Sequence, residues 1–247
     1  MKTIGLIGGA SYQSSIEYYR LINEKTNQLL GGQYSAKIVM VSLNFHEIVE
    51  AFYSDRWNHI EKIMISAIRQ LEHADVDFIA ICCNTLHKIA SIIAQSSTLP
   101  FLHILEPTGQ QIKRQKINTV GILGSKFTMQ GIFHKDYLHS KFQVNSITPN
   151  EKEQEIVNTI IFDELCYGVV KEESKQTILR VITSLQQRGA QGIVLGCTEL
   201  PSLLQSVTNL KIPLFNTTFF HAEAITHFAL SESLQEEMHF KKVANYS

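Results

Sequence analysis

Short apolar runs alternate with longer amphipathic stretches along most of this chain. Short, mainly apolar runs fit strands, whereas apolar positions recurring every three or four residues fit helices. The predicted strands are residues 3–7, 37–41, 78–82, 101–103, 119–123, 143–146, 193–195 and 214–215. The predicted helices are residues 13–30, 57–73, 85–93, 107–114, 128–140, 154–165, 173–187, 199–204 and 218–230. This alternation predicts an α/β fold in which helices cover both faces of parallel sheets.

Three pairs of segments recur along the chain at nearly the same separation. The pairs are residues 3–8 with 119–124, 77–87 with 191–200, and 99–102 with 212–215. Their offsets are 116 (119 − 3), 114 (197 − 83, between cysteines) and 113 (213 − 100, between prolines). Three matches in one order predict an internal duplication that gives two pseudo-symmetric lobes. We assign residues 1–104 plus 213–247 to the N-terminal lobe and residues 105–212 to the C-terminal lobe.

Two cysteines occupy matching positions in the duplication, each at the end of a predicted strand. Cys83 follows the strand at 78–82, and Cys197 follows the strand at 193–195. Ligands of open parallel sheets bind outside the carboxyl ends of the strands, so we expect the active site between the lobes. The N–H groups of Asn84, Thr85, Thr198 and Glu199 then stand at helix starts, which bind carboxylates and favour thiolate over thiol. Thr85 and Thr198 add hydroxyl donors.

Two thiols and two carboxylate-binding helix starts indicate one kind of chemistry. A small carboxylate is held while one thiolate takes the α-proton and one thiol returns a proton to the opposite face. Oriented N–H groups stabilise the enolate-like charge that develops. The sequence therefore predicts inversion at an α-carbon without a metal or pyridoxal cofactor.

Other residues are candidates for the same site. The glycine-rich segment 5–9 lacks dinucleotide spacing, so we interpret it as a place of close backbone approach to a small ligand, with Ser11 supplying a hydroxyl. Residues 124–128 are the counterpart of this segment in the second half, and we expect Thr128 to serve the same cleft. We place His87 and Glu199 near the two thiols, where they orient or polarise them, although a surface role is nearly as plausible for each.

Composition narrows the class of protein. The 247 residues include 22 Lys and Arg against 23 Asp and Glu, and this balance gives no basic surface for nucleic acid or an anionic membrane. We expect a cytoplasmic protein, because no signal pattern opens the chain, no apolar run reaches transmembrane length and four cysteines are too few for a disulfide scaffold. Cys82 and Cys166 are interpreted as small buried hydrophobes. Cys83 and His87 lack a second Cys/His pair, which argues against zinc.

The motifs around these residues resemble the aspartate/glutamate racemase superfamily. They are Thr3-Ile-Gly-Leu-Ile-Gly-Gly-Ala-Ser11, Cys83-Asn-Thr-Leu-His87 and Gly196-Cys-Thr-Glu199, and the resemblance covers essentially the whole chain. The broad-specificity amino-acid racemase branch is the most similar, through residues 14–24, 45–48 and 161–166. The resemblance implies cofactor-independent racemisation with Cys83 and Cys197 as the acid/base pair, an amino-acid substrate and a homodimer.

The chain departs from strict aspartate racemases in two places. Such enzymes hold the substrate carboxylates with an Arg after the second strand and a Lys around the position of Cys166. Here residues 42–49 contain no Arg, and the second region has no Lys before Lys171. Arg56 and Lys171 are the candidate substitutes. The substrate is therefore aspartate, glutamate or a broader amino-acid set.

Alternative functions remain open at this point. A maleate-isomerase-like or arylmalonate-decarboxylase-like activity belongs to the same superfamily, although a one-cysteine decarboxylase needs no second thiol. A carboxylate-binding protein without catalysis would keep both helix starts while its thiols titrate normally.

Overall fold

The computed structural model describes residues 1–205, 207 and 210–231, which form two compact units. The first unit contains Met1–Ile104 and the segment that begins at His221, and the second contains Leu105–Phe220. Among the helices described, none is both long enough and apolar enough to cross a membrane.

A four-stranded parallel sheet organises the first unit. Its elements are β1 (Ile4–Gly8), α1 (Tyr12–Leu30), β2 (Ile38–Ser42), α2 (Phe45–Tyr53), α3 (Trp57–His73), β3 (Phe78–Ile81), a 3-10 turn (Thr85–Ile89), α4 (Ala90–Gln95) and β4 (Phe101–Leu102). The strand order is β2-β1-β3-β4. Every residue of β1 and β3 is buried, which accounts for their near-continuous aliphatic sequence. Tyr18 and Ile22 of α1 pack on this sheet in one core cluster.

The second unit repeats this plan. Its elements are α5 (Leu105–Arg114), β5 (Thr119–Gly124), α6 (Lys126–Gln130), α7 (Phe133–Phe142), β6 (Asn145–Ile147), α8 (Glu151–Asp163), a 3-10 turn (Leu165–Tyr167), α9 (Glu172–Gln187), β7 (Gly192–Gly196), α10 (Leu200–Leu204), β8 (Leu214–Asn216) and α11 (Thr217–Leu230). The strand order is β6-β5-β7-β8, and every neighbouring pair is parallel. The predicted α/β class and the duplication are confirmed, because the two sheets have the same order of strands.

Equivalent glycines show how closely the duplicated sheets are packed. A Cβ atom added at Gly5 of β1 would lie 2.8 Å from Val76 Cγ2, and one added at Gly121 of β5 would lie 2.8 Å from Ile193 Cδ1. Van der Waals contact needs more room, so a methyl group at either position would require a neighbouring side chain to shift. The matching glycines in residues 3–8 and 119–124 are thus a packing requirement.

The structure divides the chain eight residues later than the sequence predicted. We assigned residues 213–220 to the N-terminal lobe, but β8 pairs with β7 and the Thr217 hydroxyl donates to the Leu195 carbonyl at 2.8 Å. These contacts place residues 213–220 in the second unit, and the boundary falls inside α11.

Several helix boundaries also differ from the prediction. Residues 45–53 form α2, which the apolar pattern did not predict as a helix. The helix predicted at 128–140 is two helices, because Gly131 has an extended backbone that ends α6. The helix predicted at 85–93 begins as a 3-10 turn.

Candidate active site

Cys83 lies just beyond the carboxyl end of β3, in the loop that leads into the Thr85–Ile89 turn. Its side chain is half-buried, and Asn84 and Thr85 are buried. The neighbouring Cys82 is 1% exposed and belongs to the core of the first unit. Burial raises the pKa of the Cys82 thiol, and the charge of Cys83 adds to that shift. Cys82 is therefore a core residue, and Cys83 is the accessible thiol of this loop.

His87 holds this loop through the backbone. Its Nδ1 lies 2.8 Å from the Cys83 carbonyl oxygen, and its Nε2 lies 3.2 Å from the Ile104 nitrogen. Because a carbonyl accepts and an N–H donates, the ring is neutral with the proton on Nδ1. Burial lowers the pKa of His87 to about 4. Both ring nitrogens thus bind main-chain groups, so His87 contacts the backbone of Cys83, and its role in orienting the thiol stays a prediction.

A second buried histidine lies beside His87. The His221 ring centroid is 6.1 Å from that of His87, and His221 Nε2 lies 3.0 Å from the Leu102 carbonyl oxygen. His221 Nδ1 then accepts from the Tyr18 hydroxyl at 2.8 Å. Burial lowers the pKa of His221 to about 3, with the charge of His87 acting in the same direction. This network ties α1, β4 and α11 together beneath the Cys83 loop.

The loop after β1 reaches the cysteine segment through Ser14. Ser11 is buried and caps α1, with its hydroxyl oxygen accepting from the Ser14 N–H at 3.4 Å. The Ser14 hydroxyl donates to the Cys82 carbonyl. Gly9 has φ +84°, and a Cβ there would lie 2.3 Å from the Leu43 backbone. Gly9 thus allows the chain after β2 to approach closely, and the approach of a ligand to this segment stays a prediction.

Cys197 follows β7 and is half-buried. Its thiol donates to Glu199 Oε2 at 3.0 Å, and the Thr198 hydroxyl donates to the same oxygen at 2.6 Å. Burial raises the pKa of the Cys197 thiol well above its ordinary value, and the nearby Glu199 charge adds to the rise, although the Glu199 N–H opposes it. Burial and the Glu199 carboxylate thus favour the thiol at Cys197, against the preference for thiolate that we expected of a helix start.

Thr128 and Cys166 are also near Cys197. A Cβ added at Gly196, the residue before Cys197, would lie 3.2 Å from the Thr128 methyl group. The Ser125 hydroxyl accepts from the Thr128 N–H at 3.3 Å and caps α6. Cys166 is half-buried against the same core cluster as Cys197, and its charge contributes to the raised pKa of Cys197. Thr198 and Glu199 thus contact Cys197 or each other, and Thr128 lies beside the residue that precedes Cys197.

The two candidate cations for a substrate carboxylate are engaged elsewhere. Arg56 lines a surface cavity of about 600 Å³ at the junction of α2 and α3, where its guanidinium pairs with Glu50 at 2.9 Å. Lys171 pairs with Glu164 at 3.2 Å on the surface. Within the described residues, no group of three His, Cys, Asp or Glu side chains is arranged to hold a metal ion.

Each unit thus has one half-buried cysteine just beyond the carboxyl end of the equivalent strand, β3 or β7, with polar side chains around it. The sequence matches the Asp/Glu/hydantoin racemase family over residues 7–225, and the chain belongs to that family. This confirms the resemblance noted in the sequence.

Individual relatives agree with this assignment. The broad specificity amino-acid racemase RacX of Bacillus subtilis is 25% identical over 222 residues, covering 87% of this chain and 92% of RacX. A crystal structure of a Yersinia pestis protein classed with the Asp/Glu racemases is 41% identical, with a TM-score of 0.85 over 94% of this chain and all of that one. An aspartate racemase homologue from Pyrococcus horikoshii is 30% identical, with a TM-score of 0.79 over 93% of this chain and 99% of that one.

Proposed function

We propose that this protein is a pyridoxal-independent amino-acid racemase in which Cys83 and Cys197 are the two acid/base groups. The observation that carries the proposal is their equivalence in the duplicated fold, each just after the third strand along the chain in its sheet. A duplication that keeps a cysteine at both positions supplies one proton-transfer group from each half. Racemisation needs such a pair, because the proton is removed from one face and returned to the other.

The hydrogen bonds of the second unit support an assignment of roles. Cys197 is the initial acid, because its S–H bond points to the Glu199 carboxylate and burial favours the neutral thiol. Cys83 is then the initial base. As its sulfur bonds to the α-proton, the C–H electron pair moves into the substrate carboxylate. The Cys197 proton then forms a new C–H bond on the opposite face, which leaves Cys83 as thiol and Cys197 as thiolate for the reverse direction.

Backbone N–H groups and small hydroxyls complete the scheme. We assign the substrate carboxylate to the N–H groups around Asn84, Thr85 and Thr198, where it gains oriented donors as negative charge develops. In the resting state the Thr198 hydroxyl donates a hydrogen bond to Glu199. We therefore assign the backbone N–H of Thr198 to the substrate carboxylate. Ser11, which caps α1 after β1, and Thr128, in α6 after β5, are both buried and are assigned further hydroxyl contacts to the substrate.

The proposed substrates form a broad set of amino acids that includes aspartate and glutamate. Residues 42–49 contain no Arg to select an acidic side chain, and Arg56 and Lys171 pair with surface glutamates. The similarity to a broad specificity amino-acid racemase also favours a broad set of substrates. We propose a reducing cytoplasmic setting, since all four cysteines carry thiols rather than disulfides.

A chiral amino-acid panel in deuterated water, without added cofactor, tests the proposal. We expect both enantiomers to appear from either one, with deuterium entering the α-position. Cys83→Ser and Cys197→Ser should each lower racemisation by about 100-fold or more, the range of a lost acid/base group. Cys166→Ser is the matched control and should keep most of the activity. Full racemisation by either of the first two variants would disprove the two-cysteine scheme.

A further inference from the structure

Thr218 has an unusual environment in the second unit. Its side chain is 1% exposed, and its hydroxyl oxygen makes no hydrogen bond within the part of the chain that the structure describes. Buried hydroxyls in folded proteins nearly always have a partner, so one without a partner needs an explanation. A ligand that accepts its hydrogen bond is such an explanation.

The helix that contains Thr218 begins at the same sheet edge as the Cys197 loop. Thr218 lies in the first turn of α11, a helix of 14 residues that follows β8 directly. β8 pairs with β7 so that Asn216 is opposite Leu195, and the Thr217 hydroxyl donates to the Leu195 carbonyl at 2.8 Å. Cys197 is only two residues beyond Leu195. The start of α11 is therefore fixed at the same carboxyl edge of the sheet as Cys197.

The charge at this helix start suits an anion. The first turn of α11 contains no acidic residue, and a helix N-terminus carries partial positive charge from its first N–H groups. The Asn216 side chain accepts from the Phe219 N–H at 3.1 Å. A carboxylate beside the Thr218 hydroxyl would gain both the hydroxyl and the favourable end of the helix dipole.

We propose that Thr218 is a further substrate-positioning residue, whose hydroxyl donates a hydrogen bond to a carboxylate of the amino acid bound beside Cys197. This inference rests on the proposed racemase function and adds a residue that the sequence did not single out. The local sequence does not distinguish Thr218 from Thr217, because both residues are threonines. The difference between them is structural, since the Thr217 hydroxyl donates to the Leu195 carbonyl.

Isosteric variants of the two threonines separate binding from stability. In Thr218→Val a methyl group replaces a hydroxyl without a partner, so the melting temperature without ligand should stay equal or rise. KM should increase by about tenfold, which is the loss of affinity expected when a hydrogen bond to a charged group is removed. The kcat should change less than KM. Thr218→Ser keeps the hydroxyl and should restore KM.

Thr217→Val is the control, because it removes the hydrogen bond to the Leu195 carbonyl and should lower the melting temperature. If Thr218→Val has the KM of the wild type, the proposal is wrong. A Thr218→Val protein that melts lower and keeps its KM would likewise show a purely structural role.

A binding measurement keeps this inference separate from the racemase proposal. If the wild-type protein racemises no amino acid in the panel, the proposed function fails, and malonate serves as the carboxylate probe. A rise in melting temperature with malonate that is present in the wild type and lost in Thr218→Val would support the role of Thr218. An equal rise in both proteins, or none in the wild type, would refute it.

Discussion

The Cys197 thiol donates a hydrogen bond to the carboxylate of Glu199, two residues along the chain, at 3.0 Å. The same carboxylate oxygen accepts from the Thr198 hydroxyl at 2.6 Å. A negative charge at this distance opposes formation of a thiolate, and burial acts in the same direction. Burial is thus the larger reason that Cys197 favours the thiol, and the Glu199 charge adds to it.

Replacing Glu199 with Gln should lower the pKa of Cys197. The substitution removes the negative charge but keeps a side chain of similar size, so the thiolate forms at lower pH than in the wild type. The measurement is the pH dependence of iodoacetamide alkylation at Cys197, with modified peptides quantified by mass spectrometry. Glu173→Gln, on the exposed face of α9, is the control and should leave the profile unchanged. An unshifted midpoint in Glu199→Gln would show that burial alone holds the proton.

The pattern of apolar residues predicts most strands of the fold, but the assignment of β8 to the N-terminal lobe was wrong. The apolar runs predict the central strands because both faces of a parallel sheet are buried. The matching prolines at 100 and 213 precede β4 and β8, and β4 pairs with β3 of its own sheet. The same symmetry places β8 beside β7, so the duplication itself argued for the boundary that the structure has.

The site is less predictable because hydrogen-bond partners depend on side-chain direction. Sequence position placed Cys83 and Cys197 just beyond strands β3 and β7. It did not reveal that Thr198 donates to Glu199, or that both nitrogens of His87 bind the main chain. Ser14 was missed because its partner, the Cys82 carbonyl, is 68 residues away.

His87 and His221 should make the protein sensitive to acid. Both are buried and neutral, with pKa values lowered to about 4 and about 3, whereas an unfolded chain binds these protons near pH 6.5. The free energy of unfolding should be insensitive to these groups above pH 6.5. Below pH 6.5, each of the two histidines should lower the free energy of unfolding by about 1.4 kcal/mol per pH unit, until the pH reaches the pKa of that histidine in the folded protein.

Urea denaturation between pH 4 and pH 8 measures this effect. His221→Gln should reduce the slope of stability against pH by about one proton. His46→Gln, which alters an exposed histidine, should leave the slope as in the wild type. A stability that does not change from pH 6.5 to pH 4.5 would contradict the neutral, buried state of both rings.

Tyr18 and its neighbour Tyr19 offer a matched pair on α1. Tyr18 is fully buried and its hydroxyl donates to His221 Nδ1 at 2.8 Å, whereas Tyr19 is 56% exposed. Tyr18→Phe leaves a buried acceptor without its donor and should cost about 1–3 kcal/mol of stability. Tyr19→Phe should change stability by less than about 0.5 kcal/mol. Equal effects in urea denaturation would mean that the Tyr18–His221 hydrogen bond contributes nothing.

The equivalent glycines of the two sheets should differ in their tolerance of a methyl group. At Gly5 the added carbon would meet the Phe78 carbonyl oxygen at 2.9 Å as well as Val76, and a strand backbone cannot move aside easily. At Gly121 its two nearest contacts would be the ends of flexible side chains, Ile193 and Leu185 Cδ1 at 2.8 and 2.9 Å, with Leu185 Cβ at 3.3 Å. Within the usual range of about 1–3 kcal/mol for overpacking, Gly5→Ala should lie near the upper end and Gly121→Ala near the lower. Urea denaturation followed by circular dichroism tests this order, and a larger cost at Gly121 would show that the second sheet is the more rigid.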